Sequence, residues 1–281
     1  MSSNWIIYFK ERFPLVVYLP VVVGINLSGI SVGLYNFRLP PLVAAIVGLL
    51  IFFFQLRLMD DSKDHEKDTI AHPDRPLPRG LLLSDEVHSV IMKTMWVMFA
   101  YGLFLTMAFS ALAGLAYLIL TAYLWLMYRE FYMGKWLNRH QILYAFSHQI
   151  VLVPVCMFPV LLSKPAFAIF PNAFCFSILL LGAFFTYEIS RKLDPDAHPI
   201  LQTYRSLYGT GGCFFLILVG AFISGYAAWC LGVNHLTWPF LILLLISYAT
   251  LTQRKPRLVK TVASVSLLFH IWVLGLLHIG G

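Results

Sequence analysis

Apolar runs long enough to cross a bilayer follow one another along nearly the whole chain, and they decide what it can fold into. A spanning helix needs roughly 20 mostly apolar residues. The runs fall at about 14–35, 41–58, 89–110, 112–128, 142–162, 169–189, 210–232, 236–252 and 261–279. That predicts nine spans, give or take one, because the third and fourth are joined by little more than Ala111 to Gly114 and the seventh and eighth also lie close together. With 59% of its residues hydrophobic and 12% charged, a chain of 281 residues has too little polar surface to cover a soluble core. The expected class is therefore an all-α integral membrane protein, a single polytopic domain over residues 1–281, with the lipid bilayer as its solvent.

The basic residues are parcelled into short loops between the runs. One set of loops holds Lys10 and Arg12, then Lys63, Lys67, Arg75 and Arg79, then Arg129, Lys135 and Arg139, then Arg191, Lys192 and Arg205, and lastly Arg254, Lys255, Arg257 and Lys260. The opposite set holds little beyond Arg38 and Lys164. This asymmetry predicts that the N-terminus and its set of loops face the cytoplasm, with the C-terminus on the other side. It also accounts for the net charge of +7 without a nucleic-acid partner. Cys156, Cys175, Cys213 and Cys230 lie inside apolar runs without metal-ligand spacing, which argues against a disulfide framework or a zinc site. The start, MSSNWIIYFKERFP, lacks the pattern of a cleavable signal, so the first run is expected to serve as a spanning helix.

The segment after the second span, Arg57 to Asp68, carries most of the chemistry. If the span continues through it as a helix, each residue turns about 100°. With Asp60 at zero, Asp64 lies near roughly 40°, Asp68 near 80° and Asp61 near 100°, so that four carboxylates share one stripe. Like charges one turn apart repel, and more strongly near a low-dielectric boundary. A cation is expected against the stripe, and hard carboxylate oxygens suit Mg²⁺ bridged to substrate phosphates. The same segment also reads as a solvated acidic loop balanced by Lys63 and Lys67. Downstream, Pro73, Pro76 and Pro78 impose extended or turn backbone and hold Arg75 and Arg79 close by. Arginine forks match phosphate oxygens in a bidentate way.

With these residues in view, the chain resembles the UbiA superfamily of intramembrane prenyltransferases. Asp61, Asp64 and Asp68 match the aspartates of that family's Asn-Asp-x-x-Asp-x-x-x-Asp motif, and Arg75-Pro-Leu-Pro-Arg-Gly80 matches its arginine loop. Asp60 stands where the family has asparagine. The second family motif is matched more loosely by Glu188, Asp194 and Asp196, followed by Thr203 to Gly209, and a weak echo between spans two and six fits a duplicated helical unit. The resemblance implies nine helices around a central, lipid-open cavity with a cytoplasmic polar cap. It implies Mg²⁺ held by Asp61, Asp64, Asp68 and the second acidic segment, with Asp60 beside them. Arg75 and Arg79 would hold the diphosphate, with Arg129, Lys135, Arg139, Arg191 and Lys192 as further candidates; ordinary topology charges account for those loop residues equally well.

An ionisable group inside a span is a functional candidate by default. His148 qualifies, behind Tyr144 and Ser147, although a neutral packing histidine fits as well. Aromatics near the charged helix ends, Phe53 and Tyr187 among them with Phe52, Phe54, Trp96 and Tyr101, could line a prenyl cavity or form interfacial belts. The expected reaction is ionisation of an isoprenyl diphosphate, followed by transfer of the prenyl group to an aromatic or lipid acceptor. Two other readings stay open: a terpene cyclase of the same superfamily that uses no acceptor, and a cation-coupled transporter.

Overall fold

The computed structural model describes residues 3–33, 38–166, 169–194, 197–252 and 255–280, without the side chains of 278–280. Every regular element among them is helical, in the order α1 (Ser3–Arg12), α2 (Leu15–Val32), α3 (Leu39–Lys63), α4 (His65–Ala71), α5 (Ser84–Ala108), α6 (Ala111–Tyr128), α7 (Gly134–Leu137), α8 (Gln141–Gln149), α9 (Leu152–Ser163), α10 (Phe170–Arg191), α11 (Tyr204–Cys230), α12 (Asn234–Leu251) and α13 (Pro256–Gly280). Among the described residues, nine helical stretches are long and apolar enough to cross a membrane, the number the hydropathy pattern predicts. The protein is thus an all-α, multi-pass membrane protein.

Local chemistry explains the boundaries. Ser110, not the segment from Ala111, separates the third and fourth spans: its extended backbone ends the helix, and its hydroxyl accepts from Ala113 N at 3.1 Å. Gly232, at φ 73°, closes α11 in a Schellman turn, with Gly232 N bonded to Trp229 O and Val233 N to Ala228 O. The fifth span, Gln141–Ser163, is broken into α8 and α9 at Ile150 and Val151. Pro154 causes this, since it has no N–H and its ring clashes with the carbonyl four residues back.

The helices sort into two compact units. The first comprises Met1–Val23 and Arg38–Pro165. Within it α3 packs against α5, α6 and α9. Gly48 lets Tyr117 and Phe158 lie against its backbone, and the Tyr117 hydroxyl donates to Gly48 O at 3.0 Å. Tyr101 donates likewise to Ala44 O. These bonds satisfy phenol groups that would otherwise be stranded in an apolar interior. The outward faces keep large apolar groups for lipid; Trp96 is 69% exposed.

The second unit comprises Gly24–Phe37 and Ala166–Gly281. Small residues permit close helix approach there, as is usual where no water drives association. Ser28 inserts its hydroxyl into the α13 ladder, donating to Ile271 O at 2.6 Å and accepting from Gly275 N at 3.0 Å. Where α10 meets α11, a Cβ built at Gly182 would fall 2.6 Å from both Gly220 O and Ser224 N. Both obstacles are backbone atoms that cannot swing away. Gly182→Ala is therefore expected to destabilise the protein by about 1–3 kcal/mol, read as a lower melting temperature in detergent. An unchanged melt would mean that this crossing is loose.

Candidate active site

The first acidic segment is not one straight helix. Lys63 ends α3, and Asp64, at φ −86° and ψ 4°, is the joint before α4. The four-residue register nevertheless survives the joint: Asp64 N bonds to Asp60 O at 2.9 Å, Asp68 N to Asp64 O and His72 N to Asp68 O, both at 2.8 Å. Asp60, Asp64 and Asp68 thus stay one turn apart, with Asp60 half-buried and Asp64 exposed.

Asp61 has a different environment from the other three. It is 5% exposed and accepts from the Tyr8 hydroxyl at 2.9 Å, from Arg12 through Nε at 2.9 Å and through a terminal nitrogen, and from Arg57 at 2.7 Å. Two guanidiniums and a phenol therefore surround the carboxylate expected to bind a metal. Burial and the adjacent carboxylate hold the Tyr8 hydroxyl far above the ordinary phenol range, so it remains a donor. Asp68, 4% exposed, receives Arg75 on both oxygens at 2.6 Å. The Arg75 loop is a string of turns closed by Gly80 at φ 75°, with Leu77 and Leu82 buried beneath it. Arg79 points instead to Glu11, at 2.8 and 3.0 Å, and to Asp74 O. Asn4 of α1 donates to Leu81 O at 3.0 Å, so α1 is fastened to both the acidic segment and the arginine loop.

A second polar group adjoins the first. Lys63 Nζ, on a side chain 16% exposed, lies 3.1 Å from the Tyr144 hydroxyl, 3.4 Å from Met127 O, 3.5 Å from His148 Nε2 and 3.8 Å from Glu130 Oε1. His148 Nδ1 sits 2.8 Å from Tyr144 O, which fixes that nitrogen as the N–H donor and leaves Nε2 as the acceptor facing Lys63. The rings of Tyr144 and His148 stack at 4.1 Å, and Phe131 meets His148 edge-on. Asp60 and Asp64 are near enough to act electrostatically on the Tyr144 hydroxyl.

Glu130 reaches this group from a strained turn. Glu130, Phe131 and Tyr132 all have left-handed backbone, at φ 48°, 54° and 57°. Non-glycine residues in that region cost about 1–2 kcal/mol each. Gly134 makes room for the carboxylate, since a Cβ there would fall 1.8 Å from Glu130 Oε2.

The other expected residues have surroundings of their own. Arg129, Lys135 and Arg139 are exposed, with Arg129 over the Tyr132 ring at 5.6 Å. Phe53 is half-buried beside Phe52 and Tyr18. In the second unit, Glu188 is bridged by Arg191 and Lys192, each at 2.7 Å, while Tyr187 is half-buried and Asp194 exposed. Asp196 and Pro195, like Arg254, lie outside the described residues. Among the described residues no three His, Cys, Asp or Glu side chains gather as a metal cluster. An apolar cleft of about 600 Å³ in the first unit is lined by Met92, Trp96, Phe99, Leu118 and Trp125.

Sequence reasoning missed Tyr8, Arg12, Arg57, Lys63 and Glu130. Only Arg57 carried a usable signal, its i,i+4 spacing to Asp61.

No protein-family profile matches the chain, and no curated protein matches it in sequence. Solved structures do match. The apo structure of a UbiA homolog from Aeropyrum pernix K1 superposes with a TM-score of 0.66 at 15% identity, covering 91% of this chain and 97% of that one. A digeranylgeranylglyceryl phosphate synthase superposes with a TM-score of 0.61, also at 15% identity, covering 98% of this chain and 99% of the other. From end to end, the chain has the UbiA fold.

Proposed function

We propose that the protein is a prenyltransferase of the UbiA superfamily, which ionises an isoprenyl diphosphate beside the α3–α4 joint and passes the prenyl group to an aromatic or lipid acceptor within the membrane. One observation carries this reading: the Asp60–Asp64–Asp68 register, kept across the joint and touching the Arg75 loop, stands at the end of an apolar span. The fold shared with a digeranylgeranylglyceryl phosphate synthase supports it. The distribution of lysine and arginine supports a cytoplasmic location for the joint.

The donor set suits Mg²⁺. That ion commonly takes one or two carboxylates and leaves its other positions to water and substrate phosphate, so Asp60 and Asp64 suffice without a three-member cluster. Bound there, it would supply positive charge to the diphosphate oxygens. Arg75 can exchange the Asp68 carboxylate for phosphate oxygens, which its planar fork fits equally well. As the allylic C–O bond breaks, its electron pair leaves with the diphosphate. The acceptor then supplies the pair for the new bond and releases a proton. The apolar spans limit the water that would otherwise quench the cation.

Purified protein in lipid nanodiscs, given Mg²⁺ and allylic diphosphates of graded length, tests the proposal. Diphosphate release that requires an aromatic or lipid acceptor, with a prenylated product in the organic extract, is the expected result. A cyclic hydrocarbon or alcohol formed without acceptor would instead establish a terpene cyclase. Cation flux in proteoliposomes, with no diphosphate released from any substrate, would overturn both in favour of transport.

A further inference from the structure

We infer that Lys63 is a diphosphate anchor of this site and that Glu130 is the internal anion that keeps its place until substrate arrives. The inference rests on the proposed prenyl-diphosphate chemistry and extends it to a pair of residues that the motif match does not include. Lys63 lies between Asp60 and Asp64 in the chain, at the joint where the diphosphate is to be held. Its ammonium is oriented by three neutral acceptors, the Tyr144 hydroxyl, Met127 O and His148 Nε2. Such a cation is pre-aimed and cheap to use, because its side chain is already ordered.

Its contact with a carboxylate, that of Glu130, is the loosest of the set. Glu130 Oε1 stands 3.8 Å away, beyond hydrogen-bond length, and the glutamate is 29% exposed. The turn that delivers it is left-handed at three successive non-glycine residues, and Gly134 has no side chain to obstruct it. Strain held at a ligand site points to a conformation with a task. A weakly paired anion on a strained turn is readily displaced by a diphosphate, which brings more charge and several acceptor oxygens to the same ammonium.

The test is binding of inorganic diphosphate to the full-length protein in nanodiscs, by calorimetry, at saturating Mg²⁺ and again in EDTA. Lys63→Met is expected to weaken binding by about tenfold or more, the loss of one charge-assisted contact. Glu130→Gln is expected to tighten it severalfold, because the competing charge is gone while the side-chain shape remains. Intrinsic tryptophan melts confirm that each variant is folded. Unchanged binding by Lys63→Met would overturn the inference, and so would a loss of binding in Glu130→Gln, which would make the glutamate a support for the lysine. If the wild-type protein binds no diphosphate and turns over no allylic substrate, the prenyltransferase reading itself fails. If the wild type binds and Lys63→Met matches it, only the anchor is wrong.

Discussion

Asp64→Ala is expected to reduce diphosphate release from an allylic substrate by on the order of a hundredfold or more, the scale seen when one preorganised electrostatic group is removed from a reacting centre. The fold should scarcely notice. Asp64 is exposed and sits at a helix joint, where surface substitutions usually change stability by no more than about 0.5 kcal/mol. The measurement pairs turnover with a detergent melt. Loss of turnover at a wild-type melting temperature supports a catalytic carboxylate. Full turnover in Asp64→Ala would remove the metal and diphosphate assignment of this register.

Its neighbour Asp61 should behave in the opposite way. Asp61→Ala leaves Arg12, Arg57 and the Tyr8 hydroxyl without their shared acceptor, in a place where water is scarce. Removing one partner from a buried ion pair typically costs about 3–5 kcal/mol, because the remaining charge stays desolvated. The expected result is a large drop in melting temperature, with α1 released to protease at Lys10 and Arg12, since three of the lost bonds tie that helix down. Asp61→Ala that melts like the wild type yet loses turnover would return Asp61 to the metal-binding role the motif assigns it. The two variants together separate a carboxylate that fastens α1 from one that works in the site.

This division gives α1 a definite role. Tyr8 and Arg12 clamp Asp61, Glu11 pairs with Arg79, and Asn4 caps the Leu81 carbonyl. One short helix therefore engages both halves of the first motif. The arginines expected to face phosphate are each paired with a carboxylate, Arg75 with Asp68 and Arg79 with Glu11. Pairs of this kind lower the cost of burying charge near the membrane and can be exchanged for a stronger anion. The Asp68–Arg75 pair is the better buried of the two.

The number of spans was legible because the bilayer fixes how many apolar residues a crossing helix needs, and that is a property of each segment alone. The Asp60–Asp64–Asp68 register was legible for a similar reason, since helical period is set within one turn. Pro154, Ser110 and Gly232 also act locally, although only the backbone shows where each takes effect. What tertiary structure alone decided is which charge meets which. Asp61 is claimed by residues 49 and 53 positions away, and Lys63 by residues as far as 85 positions along the chain. Ion pairing falls off over a few ångströms and strengthens as water is excluded. It is therefore settled by packing, which no single segment encodes.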